Sequence, residues 1–133
     1  VSIAASNVSA MPAVRAYLLE MQRSLARENS VIMDGRDIGT VVLPDAALKV
    51  FLTASAEARA KRRLLELQQK GVETSFDEVL RDIIYRDEQD SSRAAAPLKQ
   101  AEDAVLLDTS NIGLEESIEA LCAIIAARRE QLG

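Results

Sequence analysis

The stretch SVIMDGRDIGTVVLPDA, residues 30–46, decides how this chain reads. Three apolar residues, Val31, Ile32 and Met33, run into Asp34, and Gly35-Arg36-Asp37 follow at once. An apolar strand that ends in a carboxylate and opens into a Gly-Arg-Asp turn places charge at the carboxyl edge of a sheet, where α/β proteins bind ligands. Arg36 offers a planar fork that matches phosphate. Asp34 and Asp37 suit a metal's water shell or the edge of a base. This cluster of opposite charges follows the apolar run directly. It points to a phosphorylated small molecule. The competing reading is a plain tight turn, since Asp and Gly are ordinary turn residues.

Strands are expected at residues 30–33, 48–53 and 104–107, the last ending in Asp108. A helix is expected from Pro12, whose fixed φ suits a first turn, with Val14, Leu18, Met21 and Leu25 as its apolar stripe. The residues before it read as coil. A second helix starts near Ser55 and stops at Gly71. Ser75 to Glu78 spells a capping box and opens a third, with Phe76, Val79, Leu80, Ile83 and Ile84 on one face. The last spans about residues 114–129, with Leu114, Ile118, Leu121 and Ile125 inward. Alternating short apolar strands and helices predict an α/β fold, a parallel sheet flanked by helices. Three strands are few against the usual five to six or so. The sheet is expected to be incomplete at the N-terminus, in keeping with a first residue that is Val and not Met.

At 133 residues the chain is read as a single domain, with 48% hydrophobic residues and 3% aromatics, so aliphatic side chains must carry the core. The net charge of -5 disfavours nucleic acid and anionic membrane as partners. Twelve arginines against four lysines in an acidic chain suggest local anion sites. No His and one Cys leave almost nothing for a zinc site and exclude Ser-His-Asp and Cys-His catalysis. Cys122 reads as a buried spacer in an apolar helix, and a reducing cytoplasmic setting is expected. No signal peptide is expected, and no apolar run in these residues is long enough to cross a bilayer.

Beyond the opening stretch, the stripe Val79, Ile83 continues at the same spacing as Arg86, Asp90 and Arg93. Charges seldom face inward unless paired, so these could build a ligand site. An intrahelical ladder of ion pairs explains the spacing equally well. Asp87 and Glu88 read as plain surface. Arg59, Lys61, Arg62 and Arg63 form a basic cluster that could meet nucleotide phosphates, although a solvated face accounts for at least two of the four. Ser6 and Arg15 say nothing on their own. Asp108 and Ser110-Asn111 read as a turn leading into a helix cap.

At these residues the chain resembles the bacterial cytidylate kinases. The matching segments are AASNVSAMPAVR, VIMDGRDIGTVVLPDAALKVFLTAS, EARAKRR, RDIIYRDEQDSSRAAAPL and DAVLLDTS, in order across nearly the whole chain. The resemblance implies a P-loop nucleoside monophosphate kinase fold with a lid-bearing helical segment at about residues 55–95. It implies transfer of the γ-phosphate of ATP to CMP or dCMP, with Mg2+, in pyrimidine nucleotide metabolism. By the same resemblance Ser6, Arg15 and Asp37 read the cytosine edge, and Arg93 assists at the base or the phosphate. Arg36 holds the monophosphate. Arg86 and Asp90 hold the ribose hydroxyls or the transferring phosphates. Asp34 stands near the magnesium water shell, and Arg59, Arg62 or Arg63 border the ATP phosphates. Small nucleotides are the implied partners, and a monomer the implied state of the full-length protein.

One departure matters. The family carries a loop G-x-x-x-x-G-K-[ST], and the five glycines of this chain, Gly35, Gly39, Gly71, Gly113 and Gly133, cannot form it. That loop cradles ATP phosphates and brings a lysine to them. The chain is therefore expected to be the C-terminal portion of a cytidylate kinase, and inactive alone. Two alternatives stay open: a CMP-binding half-enzyme that does not turn over, and a piece that associates through an open sheet edge.

Overall fold

The computed structural model describes residues 2–92 and 97–133. In chain order its elements are α1 (Ser2–Ser9), α2 (Pro12–Glu28), a π-helical turn (Ile38–Val42), β1 (Val50–Thr53), α3 (Ala56–Gln69), α4 (Phe76–Ser92), β2 (Val105–Asp108) and α5 (Leu114–Leu132). β1 and β2 pair in parallel, with Val50 opposite Val105 and Thr53 opposite Asp108. The helical hairpin of α3 and α4 forms the crossover between them, and its two helices pack on each other. This is the expected mixed α/β arrangement with a small parallel sheet flanked by helices.

Local chemistry explains most of the boundaries. Pro12 opens α2 at a position where no amide hydrogen is needed. The Ser55 hydroxyl accepts the Ala58 N–H at 3.1 Å and caps α3. At the other end Gly71 adopts φ +74°, its N–H reaches the Gln68 carbonyl at 3.0 Å, and the Val72 N–H reaches Leu67 at 2.9 Å. Two of the carbonyls left over by the last turn are thereby satisfied, as in a Schellman motif. Half of the capping box forms at α4. Ser75 Oγ accepts the Glu78 N–H at 3.3 Å, while the Glu78 carboxylate takes the Thr74 hydroxyl at 3.0 Å.

Four expectations are corrected. Residues 30–34 form no strand. A strand exists only where a neighbour accepts from its N–H groups and donates to its C=O groups, and in the described sheet β1 pairs with β2 alone. Val31 is left 40% and Ile32 95% exposed. The residues before Pro12 are helical, as α1, and not coil. Leu114 and Ile118 lie open, at 77% and 52% exposure. The reason is length: nineteen helical residues run about 28 Å, whereas a four-residue strand covers about 13 Å. Further along α5, Leu121, Ile124 and Ile125 are half-buried. There Arg128 Nε donates to the Ala47 carbonyl at 2.7 Å. Cys122 is exposed, because it lies about 100° round the helix from Leu121 and so points off that face.

The core is small: Val42, Ala54, Ala60, Val79 and Leu107, with Thr109 as its buried polar member. Thr109 is satisfied, its N–H and hydroxyl both donating to the Thr53 carbonyl at 2.8 and 3.1 Å. In α2, Val14 and Leu18 are half-buried, while Met21 and Leu25 remain 43% and 47% exposed. Among the described residues no helix is long and apolar enough to cross a membrane.

Candidate functional site

The Asp34-Gly35-Arg36-Asp37 turn leads into the π-helical turn, which begins with the Val41 and Val42 amides donating to the Asp37 carbonyl at 2.9 and 3.1 Å. Arg23 on α2 secures the far end, with Nε to the Val42 carbonyl at 2.9 Å and Nη2 to Val41 at 2.8 Å. A Cβ on Gly35 would lie 2.9 Å from Ile38 Cγ1, so the turn closes tightly only with glycine there.

Two ion pairs converge on this turn. Arg15, from the first turns of α2, lies 3.5 Å from Asp37, with the side chains 37% and 20% exposed. Asp90, from the far end of α4, accepts Arg36 Nε at 2.7 Å. Four of the residues singled out in the sequence, from three separate segments, thus meet as two complementary pairs. Asp34 is exposed and borders both neighbouring concavities. One is a cleft of about 260 Å³ that also takes in Arg36, Lys49 and Lys99. The other is an apolar groove of about 1080 Å³ between Val31, Ile32, Leu52, Leu121 and Ile125. Asp34 has no hydrogen-bond or ion-pair partner among the described residues, and those residues hold no cluster of three metal-ligating side chains. A single accessible carboxylate fits a magnesium ion carried by nucleotide phosphates and touched through water, and it does not fit an all-protein cage.

The inward charged stripe is corrected in detail. Arg86 is exposed and unpaired among the described residues. Asp87, read above as plain surface, is half-buried and takes the two Nη groups of Arg59 at 2.8 and 2.6 Å. Residues i+7 and i+8 from Val79 share one broad helix face, and the structure pairs the second of them with Arg59, its side chain still 41% exposed. Arg59 Nε also donates to the Ala54 carbonyl at 3.0 Å. The hydrogen bond to Asp87 raises the Arg59 guanidinium above its usual pKa, against a smaller opposing effect of burial. The same hydrogen bond holds the Asp87 carboxyl below the usual carboxylate range. Glu88 is exposed.

The remaining candidates are placed as follows. Arg62 donates to the Thr109 carbonyl and to that of Ile112, the latter at 3.3 Å, bracing the loop after β2. Arg63 pairs with Glu66 at 2.9 Å in solvent, and Lys61 is exposed. Asp108 accepts the Ser110 hydroxyl and, at 2.9 Å, its N–H, which lowers the Asp108 pKa. The Ser55 N–H donates to Ser110 Oγ at 2.7 Å and ties this turn to the start of α3. The α5 cap itself is Gly113, with no side-chain bond. Ser6 is on α1, but its side chain lies outside the described structure, and Arg93 lies outside the described residues. Arg23 is the one anchor of the turn that sequence reading missed. Nothing local marks it, because its partners are 18 and 19 residues away.

The family model for cytidylate kinase matches residues 1–127. The chain belongs to the cytidylate kinase family. Among curated relatives, a cytidylate kinase of Thermosipho melanesiensis is 54% identical over 125 residues, covering 94% of this chain and 58% of the relative. One of Carboxydothermus hydrogenoformans is 50% identical over 132 residues, covering 99% and 60%. One of Clostridium botulinum is 53% identical over 120 residues, covering 90% and 55%. The chain thus spans less than two thirds of the length of these cytidylate kinases.

Proposed function

We propose that the Arg15–Asp37 and Arg36–Asp90 constellation is the CMP site of a (d)CMP kinase. In the length its relatives have, such a protein would transfer the γ-phosphate of ATP to CMP or dCMP, giving CDP or dCDP. The observation that carries this reading is the meeting of the Asp34-Gly35-Arg36-Asp37 turn with Arg15 and Asp90, in a chain of this family.

The chemistry suits the residue types. Cytosine offers an N4 donor and N3 and O2 acceptors, so Asp37 with Arg15 and Ser6 complements its edge. The Arg15–Asp37 pair holds the carboxylate in place before the base arrives. Arg36 takes the monophosphate, Asp90 and Arg86 the ribose hydroxyls or the moving phosphoryl group, and Arg93 the base or phosphate. Phosphoryl transfer is mainly positioning and neutralisation of charge on phosphate oxygens, which is work for arginines and for magnesium. Asp34 would hold that ion through water. The ATP side falls to α3. There Arg63 can exchange a solvent-exposed Glu66 for phosphate, while Arg59 and Arg62 hold the carboxyl edge in shape beneath it. The ATP phosphate loop, absent from these 133 residues, would come from the part of the longer relatives that the chain does not match. The protein is read as cytoplasmic and, at full length, monomeric.

The test is a calorimetric titration of the chain with CMP, with AMP and UMP as comparators. Saturable binding selective for CMP is expected, and Asp37→Ala should abolish the selectivity. No heat with CMP, or equal heats with all three, would refute the site.

A further inference from the structure

We propose that Asp87 is a positioning residue for the nucleotide site: gripping Arg59, it sets α4 on the carboxyl end of β1 and so holds Asp90 against Arg36. The inference rests on the reading of Arg36 and Asp90 as CMP ligands.

The two halves of α4 are held differently. Its first half is held by packing, with Val79 buried and Leu80 and Ile83 half-buried against the hairpin. The apolar hold then fails, since Ile84 is 41% and Tyr85 63% exposed. Asp90 lies beyond this point. Its side chain meets Arg36, 59% exposed, through one nitrogen, and its carbonyl accepts the Leu98 N–H at 2.9 Å; neither single bond fixes the rotation of the helix. Arg59–Asp87 can. Two parallel N–H to oxygen bonds, 2.8 and 2.6 Å, fix both distance and rotation. The guanidinium is itself pinned by its third donor, Nε, on the carbonyl of Ala54, a buried residue that directly follows β1. Asp87 and Asp90 are three residues apart, so they share a helix face about 4.5 Å apart along the axis. The rigid sheet end, Arg59, Asp87 and Asp90 therefore form one short chain of contacts ending at Arg36.

The test uses the 15N-labelled chain and two readouts: hydrogen exchange of the Arg36 Nε–H, and the CMP dissociation constant. Asp87→Asn should speed Arg36 Nε–H exchange severalfold and weaken CMP roughly tenfold, as expected when a ligand group is displaced by a fraction of an ångström to an ångström. Asp87→Glu should restore part of both. Asp82→Asn, at an exposed position of the same helix, should change neither. If Asp87→Asn frees the Arg59 signals yet leaves Arg36 exchange and CMP affinity unchanged, Asp87 merely locks the hairpin and the proposal is overturned. If Asp87→Asn loses helical circular dichroism, Arg59→Lys, which cannot make the paired bonds, is measured in its place with the same expected and refuting results. Failure of the wild-type chain to bind CMP would refute the site reading instead, and the exchange arm would still decide whether Asp87 controls Asp90.

Discussion

Asp90→Ala separates a ligand group from a structural tether. In the structure the Asp90 carboxylate accepts one hydrogen bond from Arg36 at 2.7 Å, with Arg36 59% and Asp90 24% exposed. So much exposure screens the attraction, and pairs of this kind contribute at most about 1 kcal/mol to stability. For a domain of this size that corresponds to a fall in Tm of about 4 °C or less. Binding should suffer more. A carboxylate that accepts hydrogen bonds from a ribose in a partly desolvated site contributes about 1.5–3 kcal/mol, or a Kd about ten- to 150-fold weaker. The assay is paired: thermal unfolding without ligand, and calorimetric titration with CMP. Salt adds a check, since at 1 M the screening length falls to about 3 Å and the already small stability difference between wild type and variant should shrink further. A fall of more than about 10 °C in Tm, far beyond what one exposed pair supplies, with CMP affinity intact, would exclude Asp90 as a ligand group. It would make Asp90 a tether for α4 and leave the nucleotide to other groups.

Three further outcomes are expected. Arg23→Ala removes the donors to the Val41 and Val42 carbonyls and should cost about 1–3 kcal/mol in urea unfolding; an unchanged midpoint would mean that the π-helical turn holds itself. Because the folded state lowers the Asp87 carboxyl, its contribution is fully present above the unfolded carboxylate pKa and is lost as pH falls through the folded one. Acid titration of stability below about pH 4 should therefore be shallower in Asp87→Asn than in wild type, and identical slopes would refute the pairing. Exposed Cys122 should react with a thiol reagent in the native protein almost as fast as in the urea-unfolded chain; strong protection would contradict its place on the open face of α5.

What was legible in the sequence follows from how local its cause is. Pro12, Ser55, Gly71 and Ser75 act within one helical turn, so the boundaries of α2, α3 and α4 could be read directly. Strand pairing is not local. The VIM run of residues 31–33 has strand composition, but a run becomes a strand only beside another, and none among the described residues pairs with it. The inward stripe of α5 fails for a similar reason. Leu114 and Ile118 keep the helical period of Leu121 and Ile125, and periodicity says which side is apolar without saying how far along the helix the covering surface reaches.

The candidate site divides along the same line. That Arg36 and Asp37 follow an apolar run is a local fact, and it marked the place. Their partners are 54 and 22 positions away, and no spacing rule connects Asp90 to Arg36 or Arg15 to Asp37. Arg86, Asp87 and Asp90 make the point within a single helix. A period of 3.6 leaves i+7 and i+8 almost equivalent, so Arg86 and Asp87 compete for the inward position. What breaks the tie is Arg59, 28 residues earlier, whose Nε is held by the end of β1 and whose two Nη groups therefore face α4. A carboxylate satisfies such a fork and an arginine would be repelled by it. The side chain that pairs is thus chosen by a charge on another helix, and the sequence shows that charge without showing where the fold will carry it.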